Sequence, residues 1–469
     1  MRYVCLMAVF AVFLSSPSGS AQTSAVGVDP ANITIGQNLE AAATVSINGP
    51  VPPNGLKITI TSNDPSRLLL SALPSGAGSA SIVVNLQRGI REPDFFLQSL
   101  AKSGTVAYTA TAPGYSEGKG TVTLAPSGVI ITGPYGIGKT MFQTTTGATK
   151  TKINVYSVVL DASLNYVARQ AVAGGRTVKA SITNSNSSTG LLASSKVEIP
   201  GGGSAAIALF QPAAPGDTTL AINVPDGFSP VAQYRAVTVK VSTPGIGLSE
   251  DVTIGQNLEA GGGISLGEAA PAGGLEIKLT SSSPSQVLLS TTATEKGSPS
   301  ITVKIPPGGT NATYFMQAVG ATGPVTVSAS APGYRSRTAA ALVAPSGVVV
   351  AGPLSFTRAG GSPGFATSLS AGKPTLIIVY TAFLDPKTHR SADVTVQPLR
   401  PGVSLTVDLK CSDPSMGTVG TPVTFPSASD TVETQFTPLK MGTMTLSVLT
   451  PAGFTQSSNA TVLKVIITE

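Results

Sequence analysis

Short segments in which apolar and polar residues alternate recur along the whole chain. The segments SIVVNL at Ser81 and VTVSASA at Val325 alternate with a period of two, which places one set of side chains inward and the other in water. Val, Ile and Thr are frequent in them, as strands favour. No long segment rich in Glu, Lys, Leu and Ala is present, so long amphipathic helices are not expected. The pattern predicts an all-β chain of many short strands.

One arrangement of strands and turns occurs four times. In each copy an alternating strand leads into a polar turn: LKITITSNDPS from Leu56, VKASITNSNSS from Val178, LEIKLTSSSPS from Leu275 and LTVDLKCSDPS from Leu405. A second alternating stretch follows, such as SIVVNL or AAIALF. Each copy closes with a strand, a Pro-Gly-aromatic type of turn and a last strand, the turns being APGY, PDGF, APGY and PAGF from Ala112, Pro225, Ala331 and Pro451. Glycine tolerates a positive φ in such turns, and we expect the aromatic ring to pack over the end of the core.

The first and third copies are related by a duplication. An offset of 219 residues aligns 34–134 with 253–353 without a gap, and 42 of these 101 positions are identical. The sequence TIGQNLEA occurs unchanged at Thr34 and Thr253. The second and fourth copies are similar more weakly, as in INVYSVVLD and IIVYTAFLD. The larger repeated unit is therefore a pair of modules that is used twice.

The four copies predict four tandem β-sandwich modules. We place them at 22–125, 126–243, 244–344 and 345–469, the third repeating the first and the fourth repeating the second. They meet at short Pro-containing joins near Pro126, Pro244 and Pro345, and short joins of this kind restrict hinge motion. Placed end to end, four modules with strands of about 8–10 residues would form a rod on the order of 120–170 Å.

Residues 1–21 are predicted to be a signal peptide. Arg2 precedes an apolar run at 4–14 that is short for a membrane span, and small residues follow, with cleavage expected after Ala21. No later segment reaches 18 apolar residues. These features predict an exported protein, secreted or held in the cell envelope, with no integral membrane segment in the mature chain.

The composition leaves little charge on the chain. Charged residues make up 11% of it, against about 25% in typical soluble proteins, and the formal net charge of +6 becomes +5 if Arg2 leaves with the leader. No run of Lys and Arg is present, so no nucleic-acid partner is predicted.

Removal of the leader leaves Cys411 as the single cysteine, which excludes an intramolecular disulfide. We expect Cys411 to be either a small core residue or an exposed thiol able to pair between chains.

The modules resemble bacterial immunoglobulin-like domains, the repeats of invasin- and intimin-type surface proteins. The closing pattern A-x-A-P-G-Y at 110–115 and 329–334 carries the resemblance, together with the repeated architecture. The chain departs from antibody domains because it has no Trp and no cysteine pair for an inter-sheet bridge. The resemblance implies immunoglobulin-like β-sandwiches and a role in spacing, display or adhesion. It implies no chemistry.

A nucleotide-binding motif appears once. The sequence GPYGIGKT at 133–140 fits the P-loop pattern, and Asp161 at the end of VVLD could serve as the magnesium-site acid. A P-loop needs a following helix to hold the phosphates, whereas the Thr-rich MFQTTTGATKTK is a poor helix former. In the second copy TRA at 357–359 replaces the GKT of the motif, while the acid persists as Asp385. We therefore predict no nucleotide site and a structural role for both aspartates.

A hydrolase pattern also appears once. GGSPG at 360–364 matches G-x-S-x-G, but Pro363 follows Ser362 where a nucleophile elbow needs a backbone N–H. The single histidine, His389, lies in a predicted hairpin tip, and no sibling module has either residue. We predict no Ser–His–Asp triad and no enzymatic activity.

The sequence offers no usual metal site. One histidine and one cysteine cannot make a common zinc site, and no calcium-loop motif occurs. Asp64 and Asp413 lie in DPS turns whose third-module counterpart has Ser, so we expect them to cap turns. No catalytic, cofactor-binding or metal-binding residue is predicted, and no cofactor.

These features together predict an exported, non-enzymatic repeat protein that acts as a spacer or adhesion module, with an unidentified protein or polysaccharide ligand. A carbohydrate-binding β-sandwich protein is the alternative. Sugar sites usually stack rings on aromatic faces, and the chain has no Trp and 5% aromatic residues. The ligand, the means of retention at the surface and the oligomeric state stay open.

Overall fold

The computed structural model describes residues 24–88, 92–353, 364–370, 372–391 and 395–469. They form strands and one short 3-10 turn, η1 (Ala232–Tyr234), so the predicted all-β, multi-sandwich fold is confirmed. Within these ranges no helix has the length and apolar character needed to cross a membrane. The chain divides into two compact units. Unit 1 contains the described residues up to Gln143 with Lys150–Gln211 and Asp217–Lys240, and unit 2 contains Thr144–Thr149, Pro212–Gly216 and Val241–Glu469.

The first sandwich is built from two sheets. Its strands are β1 (Val26–Asp29), β2 (Asn32–Gly36), β3 (Leu39–Ile47), β4 (Leu56–Ser62), β5 (Leu68–Ser71), β6 (Ser81–Leu86), β7 (Asp94–Ser99), β8 (Thr105–Thr111) and β9 (Gly118–Ala125). One sheet has the order β1-β3-β7-β5 and the other β2-β9-β8-β4-β6. The edge strand β2 lies parallel to β9, whereas β3, β4 and β8 pair antiparallel with their neighbours.

The second sandwich follows directly after Pro126. Its strands are β10 (Ser127–Thr132), β11 (Met141–Thr145), β12 (Thr151–Leu160), β13 (Tyr166–Arg169), β14 (Ala171–Val172), β15 (Thr177–Asn184), β16 (Gly190–Leu192), β17 (Lys196–Pro200), β18 (Ala205–Pro212), β19 (Gly216–Asn223) and β20 (Ala236–Ser242). The sheets have the orders β10-β12-β18-β16, with β13 on β12, and β11-β20-β19-β15-β17. Strand β14 does not join either sheet: it pairs with β3 of the first sandwich.

The third sandwich has the topology of the first. Its strands are β21 (Ile246–Leu248), β22 (Val252–Gly255), β23 (Glu259–Leu266), β24 (Leu275–Ser281), β25 (Val287–Ser290), β26 (Ser300–Ile305), β27 (Asn311–Ala318), β28 (Gly323–Ser330) and β29 (Arg337–Ala344). They form the sheets β21-β23-β27-β25 and β22-β29-β28-β24-β26. The edge strand β22 is again parallel to the closing strand β29.

The fourth sandwich completes the chain. Its strands are β30 (Ser346–Ala351), β31 (Gly364–Ser368), β32 (Thr375–Phe383), β33 (Leu405–Val407), β34 (Leu409–Cys411), β35 (Gly417–Val419), β36 (Val423–Phe425), β37 (Thr431–Pro438), β38 (Gly442–Val448) and β39 (Val462–Thr468). The sheets have the orders β30-β32-β37-β35 and β31-β39-β38-β34, with β33 and β36 as a separate pair.

Period-two alternation places the core as predicted. In β28 the side chains of Val325, Val327 and Ala329 are buried, while the residues between them are exposed. The grouping of SIVVNL with AAIALF as one element was wrong. SIVVNL is β6 and pairs with β4, whereas AAIALF lies in β18, in the sheet opposite β15. The counterpart of β6 is β17, because both run beside the strand that leads into the polar turn.

The closing turn ties each sandwich to its own first strand. In all four, the residue after the turn aromatic donates its N–H to a carbonyl near the start of the module, in the pairs Ser116–Ser24, Ser229–Ser127, Arg335–Pro244 and Thr455–Ser346, at 2.7–2.8 Å. The rings of Tyr334 and Phe454 pack against their module cores, as expected from the sequence.

Candidate functional site: the joint repeated in both units

The eight residues that repeat without change lie where the two sandwiches of a unit meet. They occupy 34–41 in unit 1 and 253–260 in unit 2, and we call them the joint segments. Each one runs from the edge strand β2 or β22, through a tight turn, into the first long strand of the opposite sheet, β3 or β23. Because the turn lies at the end of the sandwich, the chain of the following sandwich can reach both its backbone and its side chains.

A glutamine of the following sandwich bonds to the edge strand. The Gln170 side chain accepts the N–H of Gly36 at 2.8 Å and donates to the carbonyl of Thr34 at 3.0 Å. In unit 2 Gln397 makes the two equivalent bonds at 2.8 and 2.7 Å. A primary amide has one acceptor and one donor side, so each glutamine extends the ladder of the edge strand across the joint.

An asparagine of the turn bonds in the opposite direction. Asn38 has φ 62°, a left-handed conformation that Asn tolerates better than most residues. Its side-chain amide donates to the carbonyl of Gly227 at 3.2 Å, and its own carbonyl accepts the N–H of Ala173 at 3.0 Å. In unit 2 Asn257, at φ 63°, makes the equivalent bonds at 3.2 and 3.0 Å.

The leucine of the joint segment carries the apolar part of the contact. Leu258 has no exposed surface and belongs to the core cluster of the fourth sandwich. Its backbone forms an isolated antiparallel β-bridge with Leu399. A fully buried leucine contributes about 1.5–3 kcal/mol. Gly255 leaves room for it, because a Cβ there would lie 2.5 Å from Leu258 Cδ1. A leucine of the third sandwich is therefore part of the hydrophobic core of the fourth.

A buried carboxyl lies beside each leucine. In unit 1 Glu40 is 2% exposed, and its Oε2 accepts bonds from Gln98 Nε2 at 3.0 Å and from the Gly174 N–H at 2.8 Å. Burial raises the pKa of Glu40, and these two donors oppose the rise. Gly174 belongs to the following sandwich, so the carboxylate forms a second polar bond across the joint.

The carboxyl of unit 2 has a poorer set of donors. Glu259 is 1% exposed, and its Oε2 accepts a bond from Gln317 Nε2 at 2.8 Å. Burial raises the pKa of Glu259 to about 7, opposed by the Gln317 amide. The residue that follows Arg400 is Pro401, which has no N–H to donate.

Sequence patterns did not identify this joint. The partner residues Gln170, Gln397, Gly227 and Gly453 lie 134 to 196 residues from the joint segments, and no local period connects them. One signal was present: eight consecutive positions are identical where the duplication as a whole retains 42 of 101. Eight identical consecutive residues are expected where several of them make contacts with the neighbouring sandwich.

Unit 1 also carries a groove beside its joint. The groove has a volume of about 880 Å³. Its lining includes Thr34, Pro126, Asp161, Leu164 and Gln170, so it lies between the edge strand of the first sandwich and the β12–β13 hairpin of the second. Leu164 has φ 63°, and its side chain is exposed. The groove is lined mainly by apolar side chains, together with polar residues that include Lys102, Asp161 and Gln170.

Comparisons with known proteins assign no family. No family model matches the chain, and no curated protein matches it. A crystal structure of a beta-glycosidase from Bacteroides vulgatus aligns with 46% of this chain at 13% identity and a TM-score of 0.16. The aligned part covers 24% of that structure, and a similarity of this size supports no argument.

The P-loop-like segment leads into a strand. Residues 133–140 form turns, and β11 begins at Met141. Gly133 uses its carbonyl to accept a bond from Asn154 Nδ2 at 3.1 Å. The helix N-terminus that would bind phosphates is absent at this position. The replacement residues at 357–359 lie outside the described residues.

The two aspartates considered with the P-loop pattern, Asp161 and Asp385, cap the turns in which they lie. Asp161 Oδ1 accepts the backbone N–H groups of Ser163 and Asn165 at 2.9 and 2.8 Å, and Asp385 Oδ1 accepts those of Lys387 and Thr388. These bonds lower the pKa of both carboxyls. Both side chains thus act as turn caps, as expected for structural residues.

The DPS turns are capped in the same way. Asp64 Oδ1 accepts the Ser66 N–H at 3.1 Å, and Asp413 Oδ1 accepts the Ser415 N–H at 2.9 Å. In the second sandwich Asn186 Oδ1 takes this role toward Ser188 at 3.2 Å. The predicted turn-capping role is therefore confirmed for Asp64 and Asp413.

The remaining candidate residues are not brought together. His389 is exposed and has a φ of 54°. Its backbone N–H donates to the Asp385 carbonyl. Ser362 and Pro363 lie outside the described residues. Cys411 is buried in the core of the fourth sandwich, which confirms the core alternative over the exposed thiol, and burial raises the pKa of its thiol. Among the described residues, no group of three His, Cys, Asp or Glu side chains could hold a metal ion.

Proposed function

We propose that this chain is an exported, non-enzymatic repeat protein that acts as a spacer or adhesion module of the cell envelope, built from pairs of immunoglobulin-like sandwiches with a fixed internal joint. A spacer needs modules whose relative orientation does not fluctuate. A short linker alone would restrict the relative orientation of the two sandwiches without fixing it, so further contacts between them are needed.

The observation that carries the proposal is the repetition of the joint. In both units a glutamine bond to the edge strand and an asparagine bond from the turn connect the two sandwiches, beside a buried leucine and a buried carboxyl. The carboxyl itself bonds across the joint in unit 1, where Glu40 accepts the Gly174 N–H. Strand β14 adds a main-chain pairing in unit 1 through Ala171 with Glu40 and Val172 with Leu39. The duplication thus preserves the geometry of a pair, which is what a repeated spacer or display element requires.

The internal rigidity of a pair tests the proposal. Spin labels attached to Val83→Cys and Leu191→Cys in the full chain would report the distance between exposed positions of the two sandwiches of unit 1, since both side chains are more than half exposed. We expect one narrow distance distribution. Gln170→Ala should broaden it, whereas Gln143→Ala, an exposed residue of β11, should not. A broad distribution in the parent chain would contradict a spacer function.

Carbohydrate binding remains the second candidate from the sequence. The unit 1 groove has no aromatic residue among its lining residues, so it offers no ring for a sugar to stack on. Retention of the full chain on insoluble polysaccharides, displaced by the matching soluble sugar, would favour carbohydrate binding over a purely structural function. Passage through the same matrices would favour the spacer.

A further inference from the structure

The two joints differ at one backbone position that matters to the buried carboxyl. Ala173 and Arg400 are equivalent, because each donates its N–H to the carbonyl of the turn asparagine at 3.0 Å. The next residue is Gly174 in unit 1 and Pro401 in unit 2. The Gly174 N–H donates to Glu40 at 2.8 Å, whereas proline has no N–H.

The amide next to Glu259 cannot turn to compensate. Gln317 Oε1 accepts the Gly297 N–H at 2.8 Å, and Gln317 Nε2 donates both to the Glu295 carbonyl and to Glu259, each at 2.8 Å. All three bonds fix the amide in one orientation. Among the described residues, only Gln317 donates a hydrogen bond to the Glu259 carboxyl. Because the Glu259 side chain is 1% exposed, the ionised carboxylate would be buried with this single donor.

The charged groups on the segments packed around this carboxyl do not neutralise it. Glu295 and Lys296 lie on the loop whose backbone bonds to Gln317, and their side chains are exposed. Arg400 lies on the segment from the fourth sandwich, with its Nε buried and without a hydrogen-bond partner. Within the described part of the chain, no ion pair joins any of the three to Glu259.

We propose that the joint of unit 2 is a pH-sensitive contact, held closed while the Glu259 carboxyl is protonated and weakened when that carboxyl ionises. The ionised form gains by opening, because water then replaces the missing donor. The two main-chain bonds beside it are the Glu259 N–H to the Pro398 carbonyl at 2.9 Å and the Arg400 N–H to the Asn257 carbonyl at 3.0 Å. The joint of unit 1, with the Gly174 donor, responds less.

Hydrogen exchange of the full chain at pH 5.0 and pH 8.5, corrected for intrinsic exchange rates, tests this directly. If opening releases Glu259 to an ordinary pKa, protection of the amides of Glu259 and Arg400 should fall on the order of 50-fold between these values. Ala173, the unit 1 counterpart, should change less. Protection at Arg400 that is independent of pH would overturn the proposal.

Two variants separate the carboxyl from other titrating groups. Glu259→Gln should remove the pH dependence of protection in unit 2, and the matched Glu40→Gln should leave it in place. Pro401→Ala keeps the proline Cβ and adds an N–H, so it should reduce the dependence toward that of unit 1. A dependence that persists in Glu259→Gln would mean that the carboxyl is not its source. A dependence that Pro401→Ala leaves unchanged would mean that the missing N–H at this position is not its cause, and either result would overturn the proposal.

Discussion

The side-chain amide of Asn38 donates a hydrogen bond to the carbonyl oxygen of Gly227, 3.2 Å away and 189 residues later in the chain. Both residues have positive φ, 62° and 82°, and a Cβ on Gly227 would lie 2.7 Å from Asn38 Nδ2. The glycine of the closing turn therefore serves two purposes in the second sandwich. It permits the backbone angle of the turn, and it admits the asparagine of the neighbouring sandwich.

Replacement of this asparagine should destabilise unit 1. Asn38→Ala removes a hydrogen bond and places an alanine at positive φ, and we expect a loss of about 1–2 kcal/mol in the free energy of unfolding. Asn38→Gly removes the bond but tolerates the backbone angle, so it should cost less. Urea unfolding of the full chain, followed through the exchange protection of unit 1 amides, measures both. Equal effects would mean that backbone strain has no part.

Alanine should be tolerated at Gly261 and destabilising at the adjacent Gly262. A Cβ at Gly262 would lie 2.5 Å from the ring of Tyr314, which is 1% exposed, whereas a Cβ at Gly261 meets nothing within 4 Å. Overpacking of a closed core costs about 1–3 kcal/mol. We therefore expect Gly262→Ala to lower the melting temperature of unit 2 clearly and Gly261→Ala to leave it within error. A neutral Gly262→Ala would show that Tyr314 can move aside.

The stability of unit 2 should fall as the pH rises from about 4.5 to about 7. The pKa of Glu259 is raised from 4.5 to about 7 in the folded chain, so the folded state binds the proton more tightly than the unfolded state does. The associated stability is fully present below 4.5 and is lost by about pH 7, at a cost of up to about 3 kcal/mol. Calorimetry across this range checks the trend, and Glu259→Gln should flatten it. A rise in stability over the same range would contradict the assignment.

Cys411 should be inert in the folded protein. Its thiol is buried in the core of the fourth sandwich, and burial raises its pKa, which disfavours the reactive thiolate. We expect a thiol-specific reagent at pH 8 to label the protein slowly when it is native and rapidly in guanidinium. Cys411→Ser should cost about 1–3 kcal/mol, since it buries a hydroxyl at that position. Rapid native labelling would place the thiol at the surface.

Much of the fold follows from local sequence pattern. Alternation in VTVSASA fixes which side chains of β28 face the core. The DPS turns and their caps follow from the ability of Asp and Asn to bond to nearby backbone. Within the duplication, residues 109–134 and 328–353 each include the closing hairpin of one sandwich, a proline and the first strand of the next, as β8, β9 and β10 show for the first copy. These features depend on neighbours a few residues apart.

The joint could not be derived in this way. Strand β14 reads as part of the second module, yet it pairs with β3 of the first. Gln170 and Gln397 stand in no recognisable motif, because their function depends on edge strands 134 to 144 residues earlier. Alternation assigns the face of a side chain within its own sheet and carries no information about a neighbouring sandwich.

The all-β character of the chain and its construction from two copies of a two-module pair follow from the order of residues alone, because period-two alternation and internal duplication can both be read along the chain. The identity of TIGQNLEA in the two copies is explained by contacts that form in the folded chain. Its backbone, its asparagine and its leucine contact residues far along the chain, and in unit 1 its carboxyl does so too, through the Gly174 N–H. Burial raises the pKa of that carboxyl in both units. These contacts and this pKa shift arise because segments far apart in the chain exclude water from one another, and the local pattern of residues does not specify which segments meet.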